Sequence, residues 1–208
     1  MEPFKRVTGV VLPLDRSNVD TDQIVPARYL KRIERQGWGE VLFYDWRYKN
    51  GEPNPEFVMY DERYSAAAVL VAGRNFGSGS SREHAVWAVR QYGIRAVIAP
   101  SFADIFHKNC FENGLVPVIM AQEQVDAVMG KAQESPGYEL TVDLERCEVS
   151  DAGGFSAPFV VHEDPGTHEF RRHTLLNGLD GIAMTLQAED EISEFESNRP
   201  RWLTPAGR

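Results

Sequence analysis

Residues 73–84 read GRNFGSGSSREH, which packs three glycines, three serines, two arginines, a glutamate and a histidine into twelve positions. Glycines let a backbone approach a ligand closely. The helical spacing that follows places this loop just before a helix N-terminus, where unpaired N–H groups and partial positive charge favour anions. Arg82 adds a side chain able to grip a carboxylate or phosphate with two hydrogen bonds. Known phosphate motifs do not fit. No GxxxxGK[ST] run occurs, Gly77-Ser78-Gly79-Ser80-Ser81-Arg82 lacks the third glycine of GxGxxG, and no GxSxG is present. A plainer reading is a capping box, with Ser80 as N-cap and Glu83 three residues on. That reading leaves Gly77, Gly79, Ser81 and Arg82 without a reason. The two roles are compatible, because the field that favours a cap also favours a serine oxygen carrying negative charge.

The surrounding elements predict how such a loop is positioned. Residues 4–14 read as a strand ended by Pro13, followed by a polar loop, residues 15–26, with Asp15, Asp20 and Asp22. Residues 27–54 mix aromatic and basic side chains. A short helix is expected over residues 28–33, with breaks at Gly37 and Gly39 and a loop at NGEPNP. The run SAAAVLVA, residues 65–72, predicts a buried strand. Ala85, Ala88, Val89 and Tyr92 fall at i, i+3, i+4 and i+7, so residues 82–92 predict an amphipathic helix closed by Gly93. A second apolar strand is expected at residues 95–100. A helix then follows, with Ser101 as its cap and Phe102, Ile105 and Phe106 as its stripe, ended by Gly114. A third strand, residues 115–121, leads into a helix over 122–129. His107 falls on the polar side of its helix, and Cys110 reads as a small apolar filler. This alternation predicts an α/β fold whose parallel-sheet core is flanked by helices. Residues 138–149 and 159–161 predict additional β-strands in a second sheet, and residues 179–196 a helix with an acidic outer face.

Composition sets limits. The chain has 208 residues, 42% hydrophobic and 25% charged, with a formal net charge of −9. That charge argues against nucleic acid as a partner. No apolar run approaches the roughly 18 residues a membrane helix needs. The N-terminal residues lack an apolar signal-type core, so a cytoplasmic protein is expected. Cys110 and Cys147 are the two cysteines. An iron–sulfur cluster is usually held by about four thiolates, so this chain alone cannot hold one.

NFGSGSSREHA closely resembles the signature of the swivelling domain of aconitase-like hydro-lyases. VDTDQIVPARYLK, residues 19–31, and RAVIAPSFADIFHKNCFENGLVPV, residues 95–118, fit the same family. Length and free-standing form resemble its small subunits of isopropylmalate-type dehydratases. The resemblance implies a swivelling β/β/α domain over residues 1–208, with a core at about 1–130 and C-terminal strands and helix after it. It implies dehydration and rehydration of a hydroxy acid, interconverting 2- and 3-isopropylmalate in leucine biosynthesis. It also implies a large partner subunit that holds a [4Fe–4S] cluster, no metal in this chain and a small dicarboxylate substrate. By position, Ser80 matches the base, Ser81 and Gly79 substrate-binding positions, Arg82 a substrate contact that supports the base, and Asp22 an active-site aspartate. For Asp22 an Asx turn is the competing role. Glu83 and His84 are expected to fix the loop, and Arg74 to line the site or pair at the surface. Tyr29, Leu30 and the aromatics after them are candidates for substrate selection, with core or interface packing as the alternative. Besides a purely structural scaffold subunit, two rival functions remain at this level. One is a stand-alone carboxylate-binding module with Ser80 only a cap. The other is a related hydro-lyase acting on methylmalate- or homocitrate-type acids.

Overall fold

The computed structural model describes residues 1–199. In chain order the strands are β1 (Arg6–Leu14), β2 (Tyr48–Lys49), β3 (Glu52–Pro53), β4 (Val69–Ala72), β5 (Ala96–Ala99), β6 (Val116–Ile119), β7 (Glu139–Asp143), β8 (Glu148–Ser150) and β9 (Ser156–Pro158). The α-helices are α1 (Thr21–Ile24), α2 (Tyr44–Arg47), α3 (Glu83–Tyr92), α4 (Asp104–Glu112), α5 (Gln122–Glu134), α6 (Pro165–Asn177), α7 (Gly181–Leu186) and α8 (Glu189–Ser197). Short 3-10 turns occupy Ala27–Tyr29, Trp38–Val41, Val58–Tyr60 and Glu62–Tyr64.

Seven strands form one sheet in the order β6-β5-β4-β1-β7-β8-β9. The half containing β6, β5, β4 and β1 is parallel, and the pairs β1–β7, β7–β8 and β8–β9 are antiparallel. The second sheet expected from the sequence is therefore the antiparallel half of a single sheet. The reason is the length of β1. Its first five residues pair with β7, from Arg6↔Asp143 to Val10↔Glu139, and its last four pair with β4, from Val11↔Val69 to Leu14↔Ala72. Pro13 does not end this strand but sits in register with Val71. The sheet curls until its edges meet. Ile119, at the end of β6, exchanges two backbone hydrogen bonds with Val160, just past β9, at 2.8 and 3.1 Å. The strand expected at residues 159–161 is thus a one-residue bridge, and the paired strand lies just before it.

Alternation along the strands divides the core between two faces. Leu12, Leu14, Leu70, Ala72, Val97 and Ala99 pack with Ala85, Val86, Ala88 and Val89 of α3. Val11, Val69, Val71, Ala96, Ile98, Val116 and Val118 pack with Val125, Val128, Met129 and Ala132 of α5. Helix α3 is held against the Trp38–Val41 turn. Trp38 is fully buried, and its amide donates to Oε1 of Gln91 at 2.9 Å. A Cβ at Gly39 would lie 2.7 Å from the Gln91 backbone, so only glycine permits that approach.

Several local expectations change. The helix expected at 28–33 is the single 3-10 turn Ala27–Tyr29. Helix α4 starts at Asp104 without a side-chain cap, because Ala103 and not Ser101 holds the N-cap position; Ser101 Oγ instead accepts from the Asn75 amide at 2.9 Å. Helix α5 runs five residues past Met129. The helix expected over 179–196 is two helices, α7 and α8, and apolar Ile182, Leu186 and Phe195 are exposed beside its acids. Leu70, in the middle of the parallel half, is fully buried. Leu70→Ala is expected to lower the free energy of unfolding by about 2–5 kcal/mol. Urea titration checks this, with the midpoint falling and the slope unchanged.

Candidate active site

Two loops leave the carboxyl ends of neighbouring parallel strands, one after β1 and one after β4. In open α/β sheets ligands collect at such ends. The two loops are laced together. The Asn18 amide donates to the Arg74 carbonyl at 2.9 Å, the Gly77 and Ser78 amides to the Val19 carbonyl at 2.9 and 3.0 Å, and the Thr21 amide to the Ser78 carbonyl at 2.8 Å. On its other side the glycine-rich loop bonds the segment after β5, with the Phe76 amide donating to the Ser101 carbonyl at 3.1 Å.

Glycine is required twice in this path. Gly77 has φ +80, and a Cβ there would fall 2.2 Å from the Phe106 ring. Gly79 has φ +90, and a Cβ there would fall 2.2 Å from Oδ2 of Asp20. Both positions combine the left-handed region with a close approach. The resemblance expects Gly79 at a substrate contact; in the structure its immediate neighbour is the Asp20 carboxylate.

The capping box at Ser80 and Glu83 does not form. Arg82 occupies the N-cap position of α3 in an extended conformation, φ −141 and ψ 103, with no side-chain cap bond. The cause is the attachment of Arg82 to Asp22. Its guanidinium donates to both oxygens of that carboxylate, Nη2 to Oδ2 at 2.7 Å, and this holds residue 82 out of the helix. Ser80 and Ser81 are consequently exposed. Among the described residues, the backbone N–H groups of Gly79, Ser80, Ser81 and Arg82 have no acceptor. Four N–H groups without an acceptor, two exposed hydroxyls and one guanidinium therefore stand on neighbouring residues just before a helix N-terminus, a composition suited to a carboxylate.

The aspartates divide their work. Asp20 takes the capping role at α1, accepting from the Asp22 amide at 2.7 Å while its own amide donates to Gln23 Oε1 at 2.9 Å. Asp22 is left for Arg82. The Arg82 hydrogen bond holds the Asp22 carboxyl below its ordinary value, against a smaller opposing effect of burial. Arg82 is mostly covered, with 12% of its side chain exposed, whereas Asp22 is half exposed at 49%.

Asp22, Ser80, Ser81 and Arg82 are thus brought to one place. Tyr29 and Leu30 stand on the next turn along the chain, partly buried against the core. Tyr29 packs on Tyr44 with ring centroids 5.2 Å apart. Arg28 lies over both rings, at 5.0 and 5.4 Å, and pairs with Asp45. Of the aromatics that follow, Trp38 and Phe43 are fully buried, and Trp46 stacks on Phe43, so these three are core. Arg74 is exposed. Glu83 accepts from Asn113 Nδ2 at 3.0 Å, and His84 packs between Trp38 and Trp87 at 4.5 and 4.8 Å, tying the start of α3 to its neighbours. Burial holds the His84 imidazole below its ordinary pKa.

His107 departs from its expected exposed position. Its Nε2 lies 2.7 Å from the Val161 carbonyl, which can only accept, so that nitrogen carries the proton. Its ring packs on Phe102, Phe111 and His162. The edge-closing contact at residues 160–161 brings a carbonyl over the helix face, which a reading of α4 alone could not foresee. Cys110 is fully buried, and desolvation pushes its thiol well up. Cys147 is half-buried, 3.5 Å from the Leu144 carbonyl. Among the described residues, no group of three or more His, Cys, Asp or Glu side chains is placed to hold a metal ion. No helix among them is long and apolar enough to cross a membrane.

Residues 1–123 match the family model for the aconitase C-terminal domain and residues 126–163 one described as LeuD_N. Residues 182–205 match the model for the C-terminal domain of the 3-isopropylmalate dehydratase small subunit. The chain is 52% identical to the 3-isopropylmalate dehydratase small subunit of Brevibacillus brevis, over 96% of this chain and all of that one. It is 51% identical to the small subunit of the same name from Bacillus subtilis, over 98% of this chain and 99% of that one. The chain belongs to the 3-isopropylmalate dehydratase small-subunit family. Membership places it among the hydro-lyase subunits of leucine biosynthesis, and a small subunit implies a larger partner. The fold is also that of the crystal structure of 3-isopropylmalate dehydratase from Methanocaldococcus jannaschii. The match has a TM-score of 0.63 at 24% identity and covers 91% of this chain and 98% of that one.

The Asp22–Arg82 pair has a pH signature. A carboxyl whose folded pKa is depressed stabilises the folded state above its unfolded value of 3.8, and that contribution is lost as pH falls through the lower folded pKa. The stability gap between the native chain and Asp22→Asn is therefore expected to be constant from neutral pH to about pH 5 and to shrink below about pH 4. Because Asp22 is half exposed, the gap stays within about 1 kcal/mol. Urea midpoints measured across pH check it, and a gap that widens in acid contradicts the pairing.

Proposed function

We propose that this chain is the swivelling subunit of a 3-isopropylmalate dehydratase, and that Ser80 is the base that removes a proton beside a substrate carboxylate. The observation that carries the reading is the exposed Ser80 hydroxyl in a segment, residues 79–82, whose backbone donors are unengaged, next to a guanidinium fixed by Asp22. A serine hydroxyl is a poor base unless its anion is stabilised. Free N–H groups at residues 79–82 and the positive charge of Arg82 are the groups able to do so. The Ser81 hydroxyl and Arg82 bind a carboxylate of the dicarboxylate substrate. Asp22 keeps Arg82 extended and aimed, and so acts on the reaction through it.

Loss of hydroxide calls for a Lewis acid. The thiols of this chain do not fit a [4Fe–4S] cluster. Cys110 is sealed in the core and Cys147 is half-buried far along the sequence. The cluster is accordingly assigned to the large partner subunit. The chain works in the cytoplasm as one swivelling unit that closes on that partner. Exposure of Ser80 and Ser81 supports this, since a site complete in one chain would be recessed from water.

Ser80→Ala in the reconstituted two-subunit enzyme tests the base. With 3-isopropylmalate as substrate, kcat is expected to fall by about 10²–10⁴, with assembly intact by size-exclusion chromatography. Near-normal turnover with intact assembly removes the base assignment. Selection of the isopropyl arm is assigned to Tyr29 and Leu30, which stand one turn beyond Asp22. An apolar contact suits that arm, and a buried unpaired charge penalises it. Leu30→Arg should shift the ratio of kcat/KM values toward a tricarboxylate acid by roughly tenfold or more. An unchanged ratio removes Leu30 from the selecting set.

A further inference from the structure

We infer that Thr21 is a positioning residue for Ser80, acting through a single hydrogen bond to the peptide that carries the base. The inference rests on the reading of Ser80 given above. Thr21 lies between Asp20 and Asp22 and is 2% exposed, one of three buried polar residues among the described ones, with Asn54 and Thr174. Thr174 satisfies its hydroxyl locally, on the Arg171 carbonyl of its own helix at 2.8 Å. Thr21 does not. Its hydroxyl crosses to the other loop and donates to the Ser80 carbonyl at 2.9 Å.

Among the described residues this is the one hydrogen bond made to either backbone group of Ser80. The residue before it, Gly79, has φ +90 and the torsional freedom of glycine. The residue itself is exposed, so packing does not hold it. The Thr21 hydroxyl therefore anchors the Ser80 carbonyl, and with it the place of the residue whose side chain carries the base. Its own place is fixed, because the Thr21 amide donates to the Ser78 carbonyl and the side chain is buried. A displacement of about 1 Å in a reacting group can lower a rate roughly 100-fold, so one such restraint is enough to matter.

The test uses Thr21→Val, which keeps the shape and branching but removes the donor, and Thr21→Ser, which keeps the donor. Both are assayed in the reconstituted two-subunit enzyme beside Ser80→Ala, with thermal unfolding and assembly measured for each. Thr21→Val is expected to lose about 10- to 100-fold in kcat with KM within about twofold, and Thr21→Ser to retain kcat within about threefold. Equal losses in the valine and serine variants would show that packing alone is at stake and overturn the role. Native kcat in Thr21→Val beside a crippled Ser80→Ala would overturn it too, leaving the base in place. Native kcat in Ser80→Ala would instead overturn the base assignment and this inference together. Should the valine variant fail to fold, loss of kcat in a stably assembled serine variant decides against the role and native kcat for it.

Discussion

A run of short hydrogen bonds lays residues 18–21 against residues 74–78, and the rest of the site depends on it. These segments are more than fifty residues apart in sequence, joined only because β1 and β4 are parallel neighbours. The sheet alone would bring the loops near one another. The bonds through Asn18, Val19 and Thr21 fix their register. That register puts Asp22 opposite Arg82 and Asp20 against Gly79. A slip of one residue would part the Asp22 carboxylate from the Arg82 guanidinium and drive a Cβ into Asp20. Fixed backbone geometry here costs conformational freedom, which the fully buried apolar faces of β1, β4 and β5 offset.

Much of the fold is legible from periodicity because its central strands are buried on both sides. Residues 69–72, 96–99 and 116–119 read as unbroken apolar runs for that reason. What stays hidden is pairing. β1 shows one apolar stretch and one more polar stretch, and nothing local says that the polar stretch, Arg6–Val10, pairs with a strand 130 residues away. Hence the antiparallel half looks like a separate sheet. Helix α6 is a different case, because its signal lies in its ends and not in an apolar stripe. Asp164 caps it, accepting from the Thr167 amide at 2.8 Å, Pro165 opens it, and Gly178 at φ +66 ends it. Proline at the start and glycine past the end mark a helix even where apolar spacing is weak.

The site is legible to a different degree. The residue types of the glycine-rich loop and the Asp-Thr-Asp loop identify it, and the resemblance to aconitase-like enzymes assigns roles. The local conformation is where pattern misleads. Ser80-Ser81-Arg82-Glu83 satisfies the capping-box rule, yet an ion pair to another loop overrides it, since a bidentate bond to a charged group is stronger than a neutral cap bond. Likewise three aspartates in one loop look interchangeable. The structure gives one to a cap and one to a guanidinium, although both lie against the neighbouring strand's loop.

Exposure of the serines then becomes intelligible as chemistry. In water at high dielectric, the field of a helix end and a guanidinium stabilises a serine anion only weakly. The same donors act far more strongly once a second surface excludes solvent. On the proposed reading, a chain that carries the base but leaves it wet is inactive by itself and becomes competent only on closure. Under the proposed two-subunit reading, dividing the donors from the iron keeps the reactive oxygen in its neutral, harmless form until substrate and partner arrive together. The buried threonine beneath it matters for the same reason. An exposed loop that must be correctly aimed at the moment of closure has no packing of its own to aim it, so its geometry has to be held from below.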